Sequence, residues 1–254
     1  MSGQDLIPAV TVGVVMGSLA RIYMLRIDYR QYPSYPQGYV IHVSLGVVAS
    51  FLGAIVVPAV VTGDFAAASF LALAATQFRE VRTVERETLT RMEETELVPR
   101  GKAYIEGIAR VFEARNYLAM LTALLSSLAV VLTHALGLGW SVGVGVAAGV
   151  AAAALLQLAM VGRRIGDIAR VRLGSITFEG PLLTIEGVSI MNVGLKQARD
   201  RYLSHGLAVV IEPLDDAANT ILADIGQRQA IAHEVAARLG IERDVDTPEF
   251  TPLP

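Results

Sequence analysis

Cysteine is absent from the 254 residues, which removes disulfides, thiolate zinc sites, iron–sulfur ligation and cysteine nucleophiles together. Charge is scarce as well. Only 18% of residues are charged, against about a quarter in a soluble domain. Lysine occurs at Lys102 and Lys196 alone, neither inside an apolar run, so a serine–lysine dyad within a membrane segment has no base to use. The formal net charge of −3 shows no basic excess, and no nucleic-acid partner is expected. What the chain has in quantity is apolar surface: 53% of residues are hydrophobic and the mean hydropathy is +0.50. That balance excludes an ordinary soluble globule and predicts a polytopic α-helical membrane protein, with the lipid bilayer as its first partner.

Cations are missing in blocks. No Lys or Arg lies in residues 1–20, 31–78 or 116–162. The two internal gaps each suit two spans of about 20 residues and a tight turn. Turns fall at Val61-Thr-Gly-Asp64 and at Thr133-His-Ala-Leu-Gly-Leu-Gly139. Five spans are expected: Leu6–Leu25, Val40–Val61, Phe65–Arg82, Asn116–Leu136 and Trp140–Val161. With every basic cluster on one side, the N-terminus is outside and the C-terminus in the cytoplasm. The third span is the weakest, and a re-entrant limb competes with it. Arg21, near the inner end of the first span, has a stem long enough to snorkel to the headgroups. In the last span Gly145 and Gly149 have the spacing that lets helix backbones approach closely, either inside one bundle or between copies in a homo-oligomer.

The expected division is residues 1–78 for three spans, with a tyrosine–proline loop at 28–39, and 79–115 for a cytoplasmic helical hairpin. Residues 116–162 then form two more spans, and 163–254 a small cytoplasmic α+β domain. In the hairpin, Val98-Pro-Arg-Gly101 breaks the helix. Tyr104, Ile105, Ile108, Val111 and Phe112 form one apolar stripe of the returning helix, while Glu106 and Arg110 pair on the other face. The loop Asp28-Tyr-Arg-Gln-Tyr-Pro-Ser-Tyr-Pro-Gln-Gly-Tyr39 suits interfacial anchoring by its tyrosines. The second reading is a rigid binding loop presenting Tyr29, Tyr32 and Tyr35. Beyond Arg164, alternation predicts two or three strands over 168–191, a helix over 195–205 and a strand over 207–212. A helix opened by Asp215 and Asp216 follows, interrupted at Gly226.

Chemistry-bearing patterns are few. His233-Glu234 begins like a zinc-protease helix, but Ala237 stands where the second histidine belongs, and the four histidines show no ligand spacing. No metal and no cofactor are expected. His42 and His134 are read as hydrogen-bonding or capping residues within the bundle. Glu212, Asp215 and Asp216 suit helix capping. One carboxylate pair is suggested by the layout: Asp28 one turn after the first span and Asp167 one turn after the last. Both would stand at the inner face, where two carboxylates sharing a proton could perform aspartyl-type proteolysis. Arg26, Arg30, Arg163, Arg164 and Arg170 stand ready to pair with them instead. The spans carry no ionisable pair near their midpoints, which argues against a carrier.

Residues 104–109 read Tyr-Ile-Glu-Gly-Ile-Ala, the hexapeptide that names the YIEGIA family of multi-pass membrane proteins of endospore-forming Firmicutes. Arg26-Ile-Asp-Tyr-Arg-Gln-Tyr-Pro-Ser-Tyr-Pro-Gln-Gly38 and Gly226-Gln-Arg-Gln-Ala-Ile231 are also similar to that family, so the resemblance covers nearly the whole chain. It implies a cell-membrane location and a sporulation setting. For some members it implies a membrane-associated aspartyl-type protease, without assigning catalytic residues. Asp28 and Asp167 are the placement made from the layout, and no Gly-x-Gly-Asp motif of the presenilin-like kind stands within a span. Two functions are carried forward: a regulatory protease acting on a protein substrate, with Asp28 and Asp167 catalytic, or a non-catalytic scaffold or signalling protein. The scaffold would bind protein partners through its stalk, where Glu106 and Arg110 lie, and its C-terminal domain.

Overall fold

The computed structural model describes residues 3–28, 36–93, 98–160 and 164–239. The chain divides into two compact units, Met1–Met92 with Ile105–Val161, and Glu93–Tyr104 with Gly162–Pro254.

The first unit is helical: α1 (Gly3–Asp28), α2 (Pro36–Val61), α3 (Phe65–Thr76), α4 (Phe78–Met92), α5 (Lys102–Ala135) and α6 (Ser141–Ala159). Four helices, α1, α2, α5 and α6, are long and apolar enough to cross a membrane. The fifth expected span is not one such helix. α3 has 12 residues, about 18 Å at 1.5 Å per residue, short of a hydrocarbon core of about 30 Å. It stops where the Gln77 N–H turns back to Ala74 O and Ala75 O, and α4 then carries the charged sequence. Asp64 starts α3 by accepting from Ala67 N at 2.9 Å. α5, with 34 residues, is about 51 Å long, so its charged first turns reach well beyond its apolar part.

Small residues bring these helices together. A Cβ at Gly17 of α1 would lie 2.6 Å from both Ser50 Oγ of α2 and Ala119 O of α5. Gly145 and Gly149 of α6 face Val130, Ser126 and Met16, so this pair is used inside the bundle. Leu6, Ala9, Val12 and Met16 of α1 join Val57, Val130 and Val131 in one apolar cluster.

The second unit holds α7 (Ile165–Ile168), β1 (Ala169–Gly174), β2 (Ile176–Glu179), β3 (Leu182–Ile185), β4 (Val188–Asn192), α8 (Lys196–His205), β5 (Ala208–Pro213), α9 (Asp216–Ala223) and α10 (Ile225–Leu239). β2, β3 and β4 form an antiparallel sheet in chain order, and β1 pairs antiparallel with β5, Leu173 opposite Val209. There are four strands over 168–191 where two or three were expected. Glu186 (φ 50) and Gly187 (φ 81) close a tight β3–β4 turn, with the positive φ at both central residues that matches strand twist. The helical break also differs: Gly226 lies inside α10, and the interruption is at Asp224, whose carboxylate accepts from Gln227 N at 3.0 Å. Asp215 caps α9 as expected, accepting from Ala218 N at 2.7 Å.

Candidate functional site

Arg21 is the most consequential side chain of the first unit. Instead of snorkelling outward it is buried, 1% exposed. Its Nε donates to Asn116 Oδ1 at 3.2 Å, and its guanidinium carbon lies 5.3 Å from the centroid of Phe112. An acceptor and a ring face together replace part of the hydration a cation loses on burial. On the other side, the His42 ring lies 4.4 Å from Phe112 and its Nε2 is 3.5 Å from Glu85 Oε1. Arg115 is buried too. One buried polar cluster thus ties α1 (Arg21), α2 (His42), α4 (Glu85) and α5 (Phe112, Asn116) together. Beside it, a groove of 330 Å³ opens between α2 and α4, lined by His42, Glu80 and Glu85 among others.

The stalk continues from this cluster. Arg82 Nη1 of α4 donates to Glu113 Oε2 of α5 at 3.0 Å. Glu106 lies 3.9 Å from Arg82 Nε and from Arg86 Nη1, and accepts from Arg110 Nε at 3.0 Å. Glu106 and Arg110, expected as binding residues, are therefore members of an ion-pair ladder between two antiparallel helices. Glu106 is half-buried in it and Arg110 is exposed.

In the second unit the segment before α5 packs on α10. His233 Nδ1–H donates to Val98 O at 2.7 Å, Gln229 Nε2 donates to Pro99 O, and Tyr104 Oη donates to Glu234 Oε1 at 2.9 Å. Gly101, at φ +80, makes the turn that brings this segment into α5. The hexapeptide therefore has divided roles. Tyr104 holds α10, Glu106 holds the ladder, and Ile105, Ile108 and Ala109 are buried.

Of the expected catalytic pair, Asp28 is the last residue of α1, in the first unit, and Asp167 is in α7, in the second. Asp167 is exposed and its Oδ2 accepts from Arg164 N at 2.8 Å, closing the short helix. Tyr29, Tyr32 and Tyr35 lie outside the described residues. Among the described residues no group of three or more His, Cys, Asp or Glu side chains could hold a metal ion. Glu212 does not join the Asp215 cap but pairs with Arg172 at 2.8 Å.

The Arg21 cluster was missed in the sequence. Its readable trace is buried polar residues inside the apolar run of α5: Thr122, Ser126 and Thr133 recur four and seven apart on one face, and Asn116 and Ser127 eleven apart on another. The His42–Glu85 contact joins separate elements and has no local signature.

The model of the family described as "YIEGIA protein" matches residues 9–254. The chain is 43% identical over 249 residues to "Uncharacterized protein YphB" of Bacillus subtilis (strain 168), covering 98% of this chain and 82% of that protein. No solved structure matches it. A match that runs through every element described above, the hexapeptide included, leaves one conclusion: the chain belongs to the YIEGIA family.

Proposed function

We propose that this protein is a non-catalytic scaffold or signalling component of the cell membrane, working in sporulation and binding protein partners through its stalk and C-terminal unit. In this reading the chain crosses the bilayer five times, N-terminus outside and C-terminus inside. The fifth crossing is made by α3 together with the first turn of α4, since 65–82 would span about 27 Å as a helix. The distribution of Lys and Arg supports that orientation.

The observation that carries the reading is the tie between stalk and bundle. The Arg82–Glu113 pair and the Glu106 ladder lock α4 to α5, and Glu85 of the same α4 reaches the buried His42. Such a stalk is a rigid extension of the bundle, suited to presenting a surface at a fixed height or to transmitting a shift of α1 or α2. Proteolysis by Asp28 and Asp167 would need the two carboxylates to share a proton. The hydrogen bond that Asp167 accepts from Arg164 N gives it a capping role at a short helix, which favours the scaffold. The test is capture of partners from sporulating cells with tagged full-length protein. Arg82→Glu is expected to abolish capture of a stable partner and Arg82→Glu with Glu113→Arg to restore it. Unchanged capture by a properly inserted Arg82→Glu protein would sink the proposal.

A further inference from the structure

The β1–β5 ribbon has two unlike faces. Strand alternation puts Arg170, Arg172 and Gly174 on one side of β1 and Ala169, Val171 and Leu173 on the other. On the first side Arg172 pairs with Glu212 and Glu186. A Cβ at Gly174 would lie 3.0 Å from Ile185 Cγ2 of β3, so residues of the three-stranded sheet engage this side. The second side is covered at one end only, where Ala169 and Ile211 pack with Ile168, Ala218 and Leu222. Beyond that end it is bare. Leu173, opposite Val209, is 70% exposed, Val171 54% and Val209 46%. Leu207, 67% exposed, extends the patch two residues before Val209.

These four side chains leave about 400 Å² of apolar surface, the size at which a patch on a monomer marks an interaction site. A two-stranded ribbon is marginal alone and needs a further layer on its apolar face, and α9 supplies that layer at one end. No Lys, Arg, Asp or Glu stands on this face. A leaflet surface is approached through Lys or Arg beside the apolar groups, and this face offers neither. Two identical uncharged faces, by contrast, meet without like-charge repulsion. Two of them bury about 800 Å² together, less than the about 1,200 Å² of a stable interface in solution. Copies held in one bilayer by α1, α2, α5 and α6 need less, because confinement raises their effective concentration as a tether does. Such copies also present the face on one side and at one height, so rotation about the membrane normal brings it onto itself.

We infer that the bare face of the β1–β5 ribbon is the contact between two copies of this chain in one membrane. Leu173 and Val209 of each copy pack on those of the other across a two-fold axis along the membrane normal. The inference shares with the scaffold reading only the anchoring of the chain in the bilayer. Its readout is self-association, not partner capture, so either can fail alone.

The experiment uses the full chain in lipid vesicles. With no cysteine of its own, the chain takes one dye at Ser204→Cys, an exposed position of α8. Donor-labelled and acceptor-labelled copies are reconstituted together at high lipid dilution, and energy transfer between them is measured. Transfer above the level of random placement is expected with Leu173 intact. Leu173→Glu in both copies is expected to weaken the association about tenfold, since it sets like charges face to face. Donor copies with Leu173→Glu and acceptor copies with Leu173→Lys are expected to regain it. Random-level transfer with Leu173 intact overturns the inference. So does transfer that survives Leu173→Glu, which puts the contact elsewhere, or a loss that the mixed Glu and Lys copies do not reverse. A short bis-maleimide is expected to join Leu173→Cys copies, made without the Ser204 change, into a covalent dimer. Its failure to do so overturns the inference independently of the charge variants.

Discussion

A guanidinium inside an apolar bundle has to be held by specific neighbours, and Arg21 has Asn116 as acceptor and Phe112 as stacking face. Truncating it leaves the Asn116 carbonyl and Glu85 buried without that cation, so Arg21→Ala is expected to cost about 3 kcal/mol. Arg21→Met, which keeps the volume, should cost less. Thermal unfolding of the detergent-solubilised protein checks the order of the two, and equal losses would show that the lost charge rather than packing sets the cost. Asp167 poses the opposite case. An exposed carboxylate whose visible task is to accept one backbone N–H can be replaced by an amide that accepts the same bond. Asp167→Asn and Asp28→Asn are therefore expected to leave sporulation and partner abundance unchanged. Loss of function in either, with the protein still accumulating, would favour the protease.

Among the elements, α4 and α5 were legible as a hairpin because their signals are local: the order Glu106 then Arg110, the apolar stripe through Ile105 and Phe112, and Gly101 at the turn. The Arg82–Glu113 pair joins residues 31 apart, and such a pairing follows only from how the helices pack. A double-mutant cycle on Arg82→Ala and Glu113→Ala should give a coupling of about 1 kcal/mol, since both ends are only part-exposed. Additive losses would mean the ladder does not hold the stalk. In the second unit, alternation revealed strands but not their number, because the β3–β4 turn has a non-glycine residue, Glu186, at positive φ. That residue accepts from Ser175 N at 2.8 Å and lies 3.4 Å from Arg172. The Ser175 N–H first, then the Arg172 charge, hold its carboxyl below the usual range. A depressed folded-state pKa adds stability that is present above the ordinary carboxylate value of about 4.3. It is lost as pH falls through the lower, folded-state value. Hydrogen exchange at the Ser175 amide should therefore quicken, relative to the intrinsic rate, as the pH falls below that range. Glu186→Gln should remove the pH dependence, and a dependence that persists in Glu186→Gln would assign it elsewhere.

For the molecule as a whole, the cation-free blocks located the four long apolar helices, because the cost of burying charge in lipid is written directly into composition. The same rule could not resolve 65–82, where no glycine or proline marks the end of α3 and the turn at Gln77 is made by backbone hydrogen bonds alone. Nor could it bring Tyr104 to Glu234, residues 130 apart, although both belong to segments that carry the family resemblance or adjoin it. Orientation follows from whether α3 and the start of α4 complete a crossing. With four crossings the two ends of the chain share a side; with five they do not. The absence of cysteine makes this measurable without background, since a single introduced thiol is then the only target for a membrane-impermeant maleimide. Gly63→Cys in the α2–α3 turn and Leu138→Cys in the α5–α6 turn are expected to label in intact cells. Ser204→Cys in α8 should label only after permeabilisation. If Ser204→Cys labels in intact cells, the C-terminal unit lies outside and the proposed orientation fails. If Gly63→Cys and Leu138→Cys label from opposite sides, α3 does not cross, and the stalk cannot stand where α4 and α5 are proposed to present it.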